Sequence, residues 1–169
     1  MFTNKQLIKL LAPLIVEQIM AVLVGMADVV MVAAVGETAV SGVSLVDSIS
    51  LLIIQIMSAL ATGGAVISAQ YLGREDFKAA RKAAGQLIFV TMVLSVVIAL
   101  IALAGNRHLL GAIFGRVEKE VMDNAQTYFW ITALSYPFIG LYNACAALFR
   151  SMGNSKVSMM TSLVMNGIN

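Results

Sequence analysis

Two acidic residues interrupt an otherwise apolar stretch near the start of the chain, and their spacing places two carboxyl groups on the same side of a helix. Glu17 and Asp28 are eleven positions apart within residues 7–34. On an α-helix this separation turns the second side chain only about 20° from the first and moves it about 16 Å along the axis. We therefore predict that both carboxyl groups lie on one face of a single helix.

A carboxyl group at membrane depth has a restricted chemistry. An ionised aspartate in the middle of a span costs about 2.5 to 3.5 kcal/mol on insertion scales, so it persists only beside other helices or a water-filled cavity. There it can accept a proton and release it when water or a cationic ligand arrives, which would couple proton entry to cation exit. The alternative is that Asp28 only hydrogen-bonds a neighbouring helix and that Glu17 is solvated near the inner membrane surface.

Other polar or helix-bending residues also stand in the apolar stretches. Pro13 lacks a backbone N–H and clashes with the preceding turn, so we expect the first helix to bend near it, either for packing or for movement during transport. Neutral polar side chains at membrane depth join helices together as readily as they line a cavity. These neutral candidates are Gln55, Tyr136, Tyr142, Asn143, Asn166 and Asn169.

The sequence contains no pattern typical of an enzyme or of a metalloprotein. Its single histidine, His108, has no second ligand at metal-binding spacing. Neither a phosphate-binding G-x-x-x-x-G-K loop nor a nucleophile elbow is present. We therefore predict a protein that is not an enzyme and that needs no metal or cofactor.

The elements that must position these residues are transmembrane helices. Of the 169 residues, 60% are hydrophobic and 12% are charged, against about 25% charged in an ordinary soluble domain. About 20 apolar residues cross a bilayer as a helix, and residues 49–69, 83–106 and 125–149 contain no Asp, Glu, Lys or Arg. We predict an all-α, polytopic membrane protein with helices over about residues 7–34, 48–72, 84–105, 126–149 and 156–169.

We also predict the structure of the segments that connect these helices. We predict an external loop over residues 35–46, with Asp47 capping the second helix. Residues 74–82 are predicted to form a short cytoplasmic helix, and residues 109–125 an amphipathic helix at the outer surface; the alternative for both is a solvated loop. The fifth apolar run is too short to cross a membrane, so we expect the chain to be a fragment of a longer polypeptide.

The distribution of Lys and Arg indicates the orientation. With the N-terminus inside, eight of them lie in cytoplasmic segments and three in external ones, as the positive-inside rule requires. We expect a multi-pass protein in the lipid bilayer of the cell's inner membrane, with a cytoplasmic N-terminus. A net charge of +2 without a basic stripe gives no basis for binding to nucleic acid.

Three segments of the chain carry a pattern that is found in a known family. They are residues 13–45 (PLIVEQIMAVLVGMADVVMVAAVGETAVSGVSL), 61–86 and 136–156. Together they resemble the amino-terminal lobe of the multidrug and toxic compound extrusion (MATE) family, in the family's order and over nearly the whole chain. The resemblance implies an antiporter of twelve helices in two bundles of six, in which a carboxy-terminal lobe absent from this chain completes the transporter. Such an antiporter would export organic cations, including drugs, in exchange for H⁺ or Na⁺.

The resemblance also implies roles for individual residues. Asp28 falls where the first helix of the family carries its acidic cation site, and Pro13 matches the proline at which that helix bends. Asn143, Asn166 and Asn169 resemble the polar residues that face the same cavity. Members with a second acid in the fifth helix carry it just past the position of Asn169.

Two other functions stay open on the sequence alone. A flippase of lipid-linked saccharides from the same superfamily would need several Arg or Lys residues in its cavity to hold pyrophosphate, and the predicted spans contain none between Lys9 and Lys156, which stand at span ends. A non-transporting membrane scaffold would tolerate the isosteric substitution Asp28→Asn. The acidic residues at membrane depth favour the exporter of cations over both alternatives.

Overall fold

Five α-helices joined by short turns make up the computed structural model of the protein, which describes residues 4–115 and 117–168. The first four helices are long and apolar enough to cross a membrane, which confirms the predicted all-α, multi-pass membrane fold. No strand occurs in the described ranges. The helices are α1 (Asn4–Ala33), α2 (Glu37–Gly73), α3 (Phe77–Phe114), α4 (Lys119–Ser151) and α5 (Ser155–Ile168).

The helices extend beyond the apolar stretches into the segments that we predicted to be connections. Residues 35–46 are not a loop, because α2 begins at Glu37. Asp47 is consequently not a cap, since it lies well inside that helix. The chain breaks instead at Gly36, whose φ of 139° is rarely adopted by residues with a side chain. Polarity marks where the hydrocarbon ends, but a helix continues until its backbone is interrupted.

The two predicted surface helices are also parts of the long helices. Residues 74–76 form a turn, and Asp76 caps α3 by accepting a hydrogen bond from the backbone N–H of Ala79 at 3.0 Å. Residues 77–82 are therefore the first turns of α3. The predicted amphipathic helix over residues 109–125 is interrupted at Gly115, whose φ of 67° ends α3 before α4 starts at Lys119.

The centre of the bundle is α4, which packs against both α2 and α3. One cluster of buried side chains, which includes Met57, Leu110 and Phe129, joins the three helices in the half of the bundle that contains the start of α2, the end of α3 and the start of α4. A second cluster, which includes Ala65 and Leu87, joins them near the turn at residues 74–76. These contacts make α2, α3 and α4 a continuous packed unit.

The first helix is held differently from the other three spans. It packs against α5 and less extensively against α2. Within the described part of the chain, no Cα atom of α1 lies within 8 Å of a Cα atom of α4. The backbones of α1 and α4 are thus not in direct contact, and Asp28 of α1 borders a cavity between these helices.

Candidate functional site

A cavity of about 390 Å³ lies between α1, α2 and α4. Asp28 of α1 lines it, and this side chain is exposed rather than buried among apolar neighbours. The acid that we singled out from the sequence therefore borders a space that a ligand can enter. The cavity is lined by Gly25, Asp28, Val29, Met31, Val32, Val43, Asp47 and Tyr128.

A second carboxylate, which we had expected to cap the second helix, faces the same cavity. Asp47 lies three turns into α2, and its Oδ1 accepts a long hydrogen bond of 3.4 Å from the Tyr128 hydroxyl of α4. We missed Asp47 because we started the second helix one residue after it. The absence of Gly or Pro from residues 43–47 was a signal that the helix starts earlier, and it would have placed this acid inside a span.

The charge of the cavity has one sign. Its lining includes two carboxyl groups, and neither Lys, Arg nor His is among the residues that line it. Asp28 and Asp47 also act on each other electrostatically. Like charges repel each other, and the repulsion is stronger where the effective dielectric is lower than that of water. A cavity whose charged lining residues are both acidic attracts positive charge rather than negative charge.

Glu17 does not line this cavity, although it is on the same helix as Asp28. Its Oε1 accepts a hydrogen bond of 2.9 Å from the Tyr142 hydroxyl of α4, and its Oε2 accepts one of 2.9 Å from the Ser158 hydroxyl of α5. Arg150, in the last turn of α4, lies 3.8 Å from Oε1. The structure thus places the two acids of α1 in different surroundings.

The cavity is not lined by any of the neutral candidates whose side chains are described, which are Gln55, Tyr136, Tyr142 and Asn143. Tyr136 is fully buried, and its hydroxyl lies 3.0 Å from the Ser50 hydroxyl in the contact between α2 and α4. Asn143 donates a hydrogen bond to the carbonyl of Ile139 in its own helix. Gln55 is exposed on α2 and does not line the cavity.

The other predicted site residues have the following positions. Pro13 is buried within α1, which continues through it, so its role as a bend stays a prediction. The backbone of Asn166 is part of α5, while its side chain lies outside the described residues, as does the whole of Asn169. Among the described residues, no group of three or more His, Cys, Asp or Glu side chains could hold a metal ion.

Comparison with known proteins agrees with this architecture. The model of the MatE family matches residues 13–169, a range that contains both acids of the cavity. The chain belongs to the MatE family. The resemblance noted in its sequence is thereby confirmed, and the family consists of membrane transporters rather than enzymes.

Two curated relatives of this MatE chain are multidrug proteins by name. It is 27% identical over 98% of its length to the probable multidrug resistance protein NorM of Thermotoga maritima. It is 23% identical over 91% of its length to the multidrug export protein MepA of Staphylococcus saprophyticus. The chain spans 35% of the length of each relative.

Solved transporters show the same arrangement of helices. A MATE protein in the straight conformation superposes with a TM-score of 0.89 at 21% identity, over 96% of this chain and 36% of that one. The outward-facing conformation of a multidrug resistance MATE family transporter gives a TM-score of 0.88 at 20% identity, with the same coverage of both chains. These likenesses establish the fold of the amino-terminal lobe.

Proposed function

We propose that this chain is part of the amino-terminal lobe of a secondary antiporter that exports organic cations in exchange for H⁺ or Na⁺. The observation that carries the proposal is the cavity between α1, α2 and α4, where Asp28 and Asp47 meet without a basic residue in the lining. The names of the curated relatives, a multidrug resistance protein and a multidrug export protein, support efflux as the direction.

The exchange follows from competition for one negative site. A cationic substrate and a proton or Na⁺ each neutralise the carboxylates, and the cavity cannot satisfy both at full strength. Binding of one therefore favours release of the other, and this reciprocal effect is what links the two binding equilibria. In this reaction Asp28 binds the cation directly, and Asp47 supplies the second negative charge.

The orientation forms part of the proposal. With a cytoplasmic N-terminus, the turn at residues 74–76 and the junction of α4 and α5 face the cytoplasm, and most Lys and Arg residues lie on that side. This distribution is the one that the positive-inside rule favours for the inner membrane. The cavity then opens toward the external half of the bilayer, where an exporter must release its substrate.

A carboxy-terminal lobe is the partner that we propose for this chain. The described helices leave α1 without backbone contact to α4, and large apolar side chains such as Val30 and Met31 are mostly exposed. The curated relatives are about three times longer than this chain, since it spans 35% of each. A second lobe packed across the cavity would enclose the substrate between two bundles.

The flippase is the nearest competing function, and the lining of the cavity argues against it. A pyrophosphate group carries negative charge and is held by Arg or Lys side chains. The lining residues of this cavity include two acids instead. A substrate of the opposite charge therefore fits the site.

The decisive experiment is the isosteric substitution Asp28→Asn in the complete transporter that carries this sequence. Dye efflux from proteoliposomes should fall at least tenfold under an imposed proton or Na⁺ gradient, which corresponds to a loss of about 1.4 kcal/mol. Asp123→Asn is the matched control, because Asp123 is an exposed acid of α4 that does not line the cavity. Normal efflux by a well-expressed Asp28→Asn protein would refute the exchange mechanism at Asp28, whereas absence of efflux by the parent protein would favour a scaffold.

A further inference from the structure

Four side chains form a polar cluster where α1, α4 and α5 meet, which we call the Glu17 clamp. It consists of Glu17 with Tyr142, Arg150 and Ser158. Both carboxylate oxygens accept a hydrogen bond of 2.9 Å, from two different helices. Arg150 adds an ion-pair contact of 3.8 Å from its Nη1 to Glu17 Oε1.

The surroundings of Glu17 are those of a structural link rather than of a ligand site. Its side chain is 15% exposed, and each oxygen already has a donor. Hydrogen bonds to a charged group are shorter and stronger than neutral ones. A substrate or coupling ion would have to displace Tyr142 or Ser158 in order to reach the carboxylate.

We propose that Glu17 is a positioning residue, and that the Glu17 clamp must open before α1 can tilt and change the shape of the cavity. The clamp is a polar connection between α1 and α4, and among the described residues the backbones of these two helices are not in contact. The role in transport rests on the proposed function, whereas the restraint on α1 does not.

The position of Pro13 shows how sensitive the clamp is to such a tilt. Pro13 has no backbone N–H, so it removes the helical hydrogen bond to the carbonyl four residues earlier and makes the helix easiest to bend there. Glu17 is four residues beyond Pro13 and Asp28 is fifteen beyond it. At a rise of about 1.5 Å per residue, these distances are about 6 Å and about 22 Å.

A small rotation about Pro13 is therefore enough to break the clamp. A tilt of about 10° moves Glu17 by about 1 Å and Asp28 by about 4 Å. Bonds of 2.9 Å lengthen by that same 1 Å to values at which a hydrogen bond is lost. The clamp thus opposes the tilt of α1 about Pro13. This tilt displaces Asp28, the proposed cation site, more than it displaces Glu17.

The test measures the position of α1 directly in the complete transporter. Spin labels are placed at Val30→Cys and Ile131→Cys, which are exposed positions on α1 and α4, after Cys145 and any other native cysteine are replaced. Double electron–electron resonance spectroscopy reports the distribution of distances between the two labels. We expect Glu17→Ala to shift or broaden that distribution relative to the parent, since the clamp no longer restrains α1.

Graded variants separate the restraint from a loss of folding. Tyr142→Phe and Ser158→Ala each remove one donor from the clamp, so each should change the distance distribution in the same direction as Glu17→Ala and by less. Gln18→Ala is the control, because Gln18 is the exposed neighbour of Glu17. Unchanged distributions in the folded Tyr142→Phe and Ser158→Ala proteins would overturn the proposal.

Transport measurements distinguish positioning from direct binding. We expect Glu17→Ala to change kcat severalfold and to leave the substrate Kd within twofold, because the ligand contacts at Asp28 persist. A large loss of substrate affinity with unchanged distances would overturn the proposal and assign Glu17 to the coupling site. Asp28→Asn in the same assay tests the exporter separately, so failure of one claim is distinguishable from failure of the other.

Discussion

Removal of the negative charge of Asp47 from the cavity should weaken the binding of a divalent cation more than the binding of a monovalent cation. The substitution Asp47→Asn keeps the shape of the side chain and an oxygen that can accept the hydrogen bond from Tyr128. It removes one negative charge from a cavity of about 390 Å³, and a sphere of that volume is about 9 Å across. For a cavity treated as this sphere, a bound cation lies about 9 Å or less from Asp47.

The size of the effect follows from Coulomb's law. At about 9 Å, two unit charges attract by about 1.8 kcal/mol for an effective dielectric of about 20. The value is about 0.9 kcal/mol if water in the open cavity doubles that dielectric. A monocation should therefore lose between about 5-fold and about 20-fold in affinity. A dication loses twice the energy, so its fold-loss is the square of the loss for the monocation.

The assay compares two permanently charged probes on the purified complete transporter. Ethidium serves as the monocation and methyl viologen as the dication, with Kd values measured by equilibrium binding for the parent, Asp47→Asn and the control Asp123→Asn. Salt is kept constant, because it screens exposed charges. Equal fold-losses for the two probes, or no loss for either, would refute the claim that Asp47 acts on the ligand through its charge.

Two further predictions concern the packing that supports the site. Gly140→Ala should lower the Tm, because the added Cβ would lie 2.7 Å from the Cβ of Ser95 and such overpacking costs about 1 to 3 kcal/mol. Gly63→Ala, with no atom within 4 Å of its added Cβ, should not lower it, and an equal decrease in both variants would contradict the argument. Tyr136→Phe should cost about 0.6 kcal/mol, as interhelical hydrogen bonds in membranes do on average, because it leaves the Ser50 hydroxyl without its partner. Thermal unfolding of the double variant with Ser50→Ala should show part of that loss recovered, and strictly additive losses would exclude a coupling between the two hydroxyl groups.

The class of protein was predictable from the sequence because it depends on local composition. Long stretches without charged residues cannot be covered by the surface of a soluble domain, and they match the thickness of a bilayer. The number and order of the helices followed from the same stretches. The exact ends did not, because Gly36 and Gly115 stop helices that polarity alone would end elsewhere.

Asp28 was predictable as a candidate site residue because an acid inside an apolar helix needs a polar environment wherever that helix is placed. Asp47 was not, since its polar surroundings come from α1 and α4, which are distant in the sequence. Its relation to the site depends on the packing of α2 beside α1. That packing is decided by contacts along whole helix faces rather than by any motif around residue 47.

The two acids of α1 show most clearly what each level of information determines. The sequence by itself established that Glu17 and Asp28 share a membrane helix, because helical periodicity depends only on spacing. Only the tertiary structure decided that Glu17 meets Tyr142 and Ser158 while Asp28 borders a cavity. The physical reason is that periodicity fixes the direction in which a side chain leaves the axis of its own helix. The residues that it contacts depend on which other helices pack against that side.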